Sequence, residues 1–171
     1  MAGLLTVTEL TSKVPEVKAI IGDQKPEYCY QCAKCTSGCT AAKVVPEYRP
    51  HEIVASVRMG LIEEILKSGI LWACSECLKC TEYCPQDVSP VEVVLALKNI
   101  AVRMGYKPPE TLVEMVKNTI EIGYIQDVME VMTTEFELVN RDTLNLPKLG
   151  TPPNMDQRKA ALMRFFGVVM K

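Results

Sequence analysis

Eight cysteines give this chain a chemistry its other side chains cannot supply, and they fall into two groups. The first reads Cys29-Tyr30-Gln31-Cys32-Ala33-Lys34-Cys35-Thr36-Ser37-Gly38-Cys39, the second Cys74-Ser75-Glu76-Cys77-Leu78-Lys79-Cys80-Thr81-Glu82-Tyr83-Cys84. Both follow C-x2-C-x2-C-x3-C, and together they use every cysteine in the protein. Two-residue gaps let three successive thiolates of one tight loop bind three irons of a single 4Fe–4S cubane. The fourth, three residues further on, points away and ligates the other cluster. The expected ligand sets are therefore crossed. Cys29, Cys32, Cys35 and Cys84 would hold one cluster, and Cys74, Cys77, Cys80 and Cys39 the second. Structural zinc usually takes cysteine pairs separated by a longer stretch, and a third cysteine two residues on is unusual there. Pro85, directly after Cys84, fixes φ and removes a donor, which turns the chain away from the cluster.

The remaining polar and aromatic residues add little chemistry of their own. His51 is the single histidine and lies in the first turn of an expected helix, where a surface or capping role fits better than ligation. One histidine gives no support to haem ligation, a metal triad or a Cys-His dyad. Trp72 reads as core, and the tyrosines beside the cysteines, Tyr28, Tyr30 and Tyr83, as packing that keeps water from the clusters. Lys34 and Lys79 each precede the third cysteine of their motif, as a bias on cluster potential or as solvated charge. No glycine-rich fingerprint of the G-x-G-x-x-G or Walker type occurs, so the sequence carries no flavin, nicotinamide or nucleotide signature.

The elements that position these residues read as helices. Pro46 and Pro50 punctuate a loop, and Pro50 suits the first turn of a helix bearing Ile53, Val54 and Val57 and closed by Gly60. Leu61, Ile62, Ile65 and Leu66 make a second short helix ending near Ser68-Gly69. Ser89-Pro90-Val91-Glu92 reads as a capping box with proline at the first helical position, and Gly105 can close that helix. Val94, Leu97, Ala101 and Met104 share one of its faces, and Val91, Val93, Leu95 and Ile100 make the rest apolar, so burial on most sides is expected. Pro108-Pro109 opens a helix with Leu112, Met115, Val116 and Ile120, stopped at Gly123. Residues 124–139 are expected to be helical as well. A Pro/Gly-rich connector spans 145–154, and a last helix covers about 155–166. No run alternates convincingly with period two. The expected fold is mainly α, with an N-terminal arm (1–27), a cluster domain (28–105) and a helical extension (106–171) that docks onto other subunits.

Composition bounds the function classes. Apolar residues make up 48% of the 171, enough for a packed core, and no Lys/Arg-rich run provides a nucleic-acid footprint. The formal net charge is −2. Eight thiolates and two oxidised cluster cores would move it to about −6. The first nine residues lack the basic and apolar regions of a signal peptide, and no stretch is long and apolar enough to span a membrane. A reducing compartment, with the cytoplasm as default, is expected.

Read with their neighbours, the motifs resemble a known family. Compact bacterial-type ferredoxins join their two motifs mostly through short strands and turns, whereas here helices intervene, as in the α-helical ferredoxin domain of fumarate reductase-like enzymes. Cys29-Tyr30-Gln31-Cys32, Cys35-Thr36-Ser37-Gly38-Cys39, Met59-Gly60-Leu61, Leu71-Trp72-Ala73-Cys74 and Cys84-Pro85-Gln86-Asp87-Val88 resemble the iron–sulfur C subunit of the soluble heterodisulfide reductases of methanogenic archaea. The resemblance covers roughly residues 20–105. It departs at Cys39-Thr40, where the family usually has Cys-Pro. It implies an electron-transfer subunit without a catalytic site of its own. The implied route starts at a flavin-containing heterodisulfide reductase subunit, fed by hydrogenase or formate dehydrogenase. It ends at a catalytic subunit that reduces the coenzyme M–coenzyme B heterodisulfide. Glycolate oxidase-like or fumarate reductase-like complexes use similar relay subunits.

Overall fold

The computed structural model describes residues 14–21 and 26–166. The N-terminal segment read above for an export signal and the chain end from Gly167 lie outside them. The chain divides into two compact units, residues 1–107 and 108–171.

Among its described residues, the regular elements of the first unit are all helical. Its elements are α1 (Val14–Ile21), α2 (Lys34–Ser37), α3 (Thr40–Val44), α4 (Pro50–Met59), α5 (Ile62–Ser68), α6 (Lys79–Glu82) and α7 (Pro90–Arg103), with 3-10 turns at Pro26–Tyr28 and Ile70–Ala73. Helix α7 is the axis of the unit and packs against α1, α4, α5 and α6. Val91, Val93, Val94, Ala96, Leu97, Ile100 and Ala101 are all buried along it. Burying each such valine, leucine or isoleucine contributes about 1.5–3 kcal/mol, which is what makes this helix the organiser. Met104 departs from the expected stripe: the helix ends at Arg103, and Met104 sits at its exposed C-cap. Gly105 then takes φ 83, and the N–H groups of Gly105 and Tyr106 bond back to Val102 and Ala101. That closure requires a left-handed residue, which glycine adopts at little steric cost. Gly60 (φ 78) and Gly69 (φ 70) end α4 and α5 in the same conformation.

The expected capping box at Ser89 does not form. Its carbonyl accepts the N–H groups of Glu92 and Val93, but its side chain makes no capping bond; instead its hydroxyl lies 2.7 Å from Thr81 Oγ1. Ser89 is buried, and in a buried position the nearest polar partner from another element competes directly with the cap. The bond ties α6 to the start of α7. Helix α1 also belongs to this unit: Val17 is buried against the same core, and Lys18 pairs with Glu27, whose carboxyl is held below its usual range by that ammonium.

The second unit contains α8 (Glu110–Glu121) and α9 (Met155–Phe166), which pack together. Gly123 takes φ 84 beyond α8, and Pro152 lies so close that a methyl group there would overlap its ring. The helix expected over 124–139 is not present. β1 (Val131–Met132) pairs antiparallel with β2 (Leu138–Val139), with Val131 opposite Val139 and Met132 opposite Leu138. The reason lies at Thr133, whose hydroxyl accepts the N–H groups of Glu135 and Glu137 and so turns the chain locally. Phe136 takes φ 62 in this turn. Apart from this two-stranded ribbon the described chain is mainly α.

Candidate functional site

Each cysteine motif folds as a loop followed by one turn of helix, and the two copies share their backbone conformation. Gln31 and Ala33 have φ 58 and 59; their counterparts Glu76 and Leu78 have φ 55 and 61. Left-handed conformations at four non-glycine residues are costly, of order 1 kcal/mol each or more, and persist only where the surroundings require them. Here they alternate with the cysteines and curl each loop back on itself, and in the first loop the three thiols face one cavity. The helical turns then repeat bond for bond. Thr36 and Ser37 bond to the Ala33 carbonyl as Thr81 and Glu82 bond to that of Leu78, and Cys39 bonds to Thr36 as Cys84 does to Thr81.

The repeat extends beyond the cysteines. Pro50 opens α4 and Pro90 opens α7. At matching steps from those prolines stand the buried pairs Ile53 and Val93, Val54 and Val94, Val57 and Leu97. One step later come Arg58 and Lys98. Arg58 Nη1 donates to the Cys29 carbonyl at 2.9 Å, and Lys98 Nζ donates to the Cys74 carbonyl at 3.2 Å. The first cysteine of each motif is thus held by a cation from the helix that follows it.

Cys29, Cys32, Cys35 and Cys84 line one cavity, together with Tyr30, His51, Tyr83 and Pro85. Three come from the first motif and the fourth from the end of the second. Elsewhere Tyr48, 2% exposed, has the Cys74 thiol near its hydroxyl, with Cys39 and Cys80 also close enough to act on it electrostatically. Burial, more than these neighbours, holds its hydroxyl above the usual phenol range. Cys77 is exposed, and Thr40 Oγ1 lies 3.7 Å from its sulfur. Proline at position 40 could not make that contact. Helices α2 and α6 lie side by side, and Gly38 faces the ring of Tyr83, so that a methyl group at 38 would overlap it.

The thiols respond to these surroundings. Burial pushes Cys80 up to about 11 and raises Cys35, which also feels Cys29 and Cys32. The Lys79 backbone N–H, and then the Thr40 hydroxyl, lower Cys77. Gln31 Nε2 donates to the Cys29 sulfur at 3.1 Å. Raised thiols ionise only against a strong positive charge, so loading such a site with iron releases protons. Among the described residues no three Cys, His, Asp or Glu side chains converge closely enough to share one ion. A cubane instead takes its four thiolates on four separate irons. The donor set, all sulfur and partly shielded, fits that group.

Several residues differ from their sequence expectation. His51, expected at a surface or cap, is half-buried on the cavity wall, with Nδ1 2.6 Å from Thr36 Oγ1, which also accepts the His51 backbone N–H at 3.4 Å. Trp72, expected in the core, is half-buried with the Lys98 ammonium 5.5 Å from its ring centroid. Tyr30 and Tyr83 line the cavity while Tyr28 does not. Arg58 and Lys98 escape a reading confined to the cysteines. Their matching place after Pro50 and Pro90 is the signal that could have found them.

Comparison with known proteins points to the same kind of cofactor. Residues 25–88 match the 4Fe-4S dicluster domain family. A protein of Archaeoglobus profundus described as like the C subunit of heterodisulfide reductase is 33% identical over 117 residues, 68% of this chain and 62% of that protein. The C subunit of the H(2):CoB-CoM heterodisulfide,ferredoxin reductase of Methanothermobacter thermautotrophicus is 38% identical over 94 residues, 55% of this chain and 50% of that one. The iron-sulfur C subunit of the CoB--CoM heterodisulfide reductase of Methanopyrus kandleri is 36% identical over 100 residues, 58% and 50% of the two chains. The chain therefore spans half to three-fifths of the length of these curated relatives. Among the described residues no helix is long and apolar enough to cross a membrane. With its doubled cysteine loops and its dicluster domain, the chain is an iron–sulfur protein of two 4Fe–4S clusters, related to the C subunits of the heterodisulfide reductases.

Proposed function

We propose that this chain is the electron-transfer subunit of a heterodisulfide reductase. It would receive electrons from the flavin-containing subunit and deliver them to the catalytic subunit, which reduces the coenzyme M–coenzyme B heterodisulfide. The observation that carries this reading is the doubled, interleaved cysteine frame in a chain whose relatives are named as iron–sulfur subunits of such enzymes. When bound, the two clusters supply one-electron donor and acceptor sites.

The rest is done by the chain's own residues. In the ligand scheme proposed here, Cys29, Cys32, Cys35 and Cys84 bind one cluster and Cys74, Cys77, Cys80 and Cys39 the other. Cys39 and Cys84 then lock the two loops together, and the Gly38–Tyr83 contact keeps α2 and α6 close. Tyr30 and Tyr83 limit water at the first site, and Tyr48 shields the second.

The second unit suits the task of docking. Its residues 125–149 expose many large apolar side chains, among them Ile125, Met129, Met132 and Leu138, with Phe136 85% exposed at the tip of the ribbon. A run of exposed apolar residues of this kind marks an interaction surface. The reading requires a reducing compartment, which for an enzyme of this class is the cytoplasm.

The test is an anaerobic pull-down on the full chain with identification of what co-purifies. The flavin-containing and catalytic subunits of a heterodisulfide reductase, with or without hydrogenase or formate dehydrogenase, are the expected partners. Capture of a glycolate-oxidising or fumarate-reducing dehydrogenase in their place would refute the assignment to heterodisulfide reductase.

A further inference from the structure

Lys98 is an unusual residue for its position. It lies on α7 among Val94, Leu97 and Ala101, and it is buried. Fully burying a lysine side chain is rare, because the charged form loses its hydration. This one has three compensations, and all belong to the second cysteine loop or its approach. Its Nζ donates to Glu76 Oε1 at 2.8 Å and to the Cys74 carbonyl at 3.2 Å, and it lies 5.5 Å from the centre of the Trp72 ring. Glu76 stands between Cys74 and Cys77, in one of the left-handed conformations that shape the loop.

We propose that Lys98 is a positioning residue for the second cysteine loop, and that its charge raises the reduction potential of the cluster held there. The inference rests on the two-cluster reading given above. Two observations set the sign. The Lys98 side chain is only 10% exposed whereas that of Glu76 is 51% exposed. Water therefore screens the carboxylate far more than the ammonium, and the pair leaves a net positive field at the loop. One-electron reduction adds a negative charge to a cluster, so that field favours the reduced form; local charge and hydrogen bonding are among the known determinants of cluster potential. The second observation is the counterpart. Arg58 occupies the matching place at the first loop and holds the Cys29 carbonyl, but it is exposed and its charge is screened. The repeat thus presents equivalent loops with unequal fields, and the second cluster is set above the position its cysteines alone would give it.

The experiment is an anaerobic redox titration of the full chain followed by EPR, on protein assayed for iron and acid-labile sulfide. Lys98→Met is expected to lower one of the two couples by about tenfold in its reduction constant, ~59 mV for one electron, leaving the other in place. Lys98→Arg should stay near wild type, because charge and donors persist. Glu76→Gln should move the same couple upward, since it removes the opposing charge. Arg58→Met should move the other couple, and by less. A purely structural role for Lys98 would not produce opposite shifts from Lys98→Met and Glu76→Gln. Shifts of equal sign, shifts of both couples alike, or no shift in protein with its full eight irons overturn the inference. If Lys98→Met loses a cluster, Glu76→Gln and Lys98→Arg decide the matter by the same criteria. Wild-type protein without eight irons and eight sulfides would overturn the two-cluster reading itself. A full complement with unmoved potentials overturns only the role of Lys98.

Discussion

The last cysteine of each motif sits with earlier cysteines of the other motif. Cys84 joins Cys29, Cys32 and Cys35 around one cavity, and Cys39 lies with Cys74 and Cys80 around Tyr48. If these are the working ligand sets, Cys84→Ser should remove one cluster and Cys39→Ser the other. Each variant is then expected to retain about four of eight irons, with one EPR couple surviving and a different one in each case. Loss of the same couple from both variants would show that the sets are not crossed. Thr40 adds to the interlock, since its hydroxyl reaches Cys77 in the other loop. The tyrosine and threonine contacts are residue-scale features that the cysteine spacing does not encode.

At the scale of elements, two contacts carry the arrangement. The first is α2 against α6, where Gly38 leaves room for the Tyr83 ring. Gly38→Ala should overpack this contact and cost about 1–3 kcal/mol, and the cost should shrink when Tyr83 is also replaced by alanine. The measurement is the denaturation midpoint of the loaded protein, followed by cluster absorbance. Additive effects of the two substitutions would mean that the ring and the glycine do not support each other. The second is the burial of α7. Leu97 is fully enclosed, and Leu97→Ala should destabilise the loaded protein by about 2–5 kcal/mol in the same assay, with both clusters still present under native conditions. Glycines 60, 69 and 105 end their helices as their sequence positions predict, because only the left-handed conformation closes those turns without strain. The ribbon at 131–139 runs against its sequence pattern. A threonine hydroxyl that captures two backbone N–H groups outweighs a weak helical periodicity, and the periodicity alone does not reveal that competition.

In the function proposed above, the molecule as a whole separates two tasks at the boundary between its two compact units, after Lys107. The cluster frame lies in the first unit and the exposed apolar ribbon in the second, which fits a division between carrying electrons and holding partners. Removing residues 108–171 is expected to leave eight irons bound and both couples titrating, while abolishing capture of the partner subunits in an anaerobic pull-down. Full capture by the shortened chain would show that docking depends on the cluster unit. A shortened chain without clusters would show that the first unit needs the second for its own stability.

By itself the sequence determined the metal chemistry and most of the helices. Cysteine gaps of two and three residues act within one loop, and proline, glycine and helical periodicity act within one or two turns, so all of these are local and readable. The family resemblance over roughly residues 20–105 followed from the same segments. Only the tertiary structure decided which other side chains, distant along the chain, meet around the cysteines. The Gly38–Tyr83 and Thr40–Cys77 contacts, the approach of Tyr48 to Cys74 and the Lys98–Glu76 pair join residues 22 to 45 positions apart. Periodicity states that α7 is buried but not that a lysine on it will find a carboxylate, a carbonyl and an indole. The repeat visible as two cysteine strings is a repeat of loop, helix and cation, and its inequality resides in how deeply the second cation is buried.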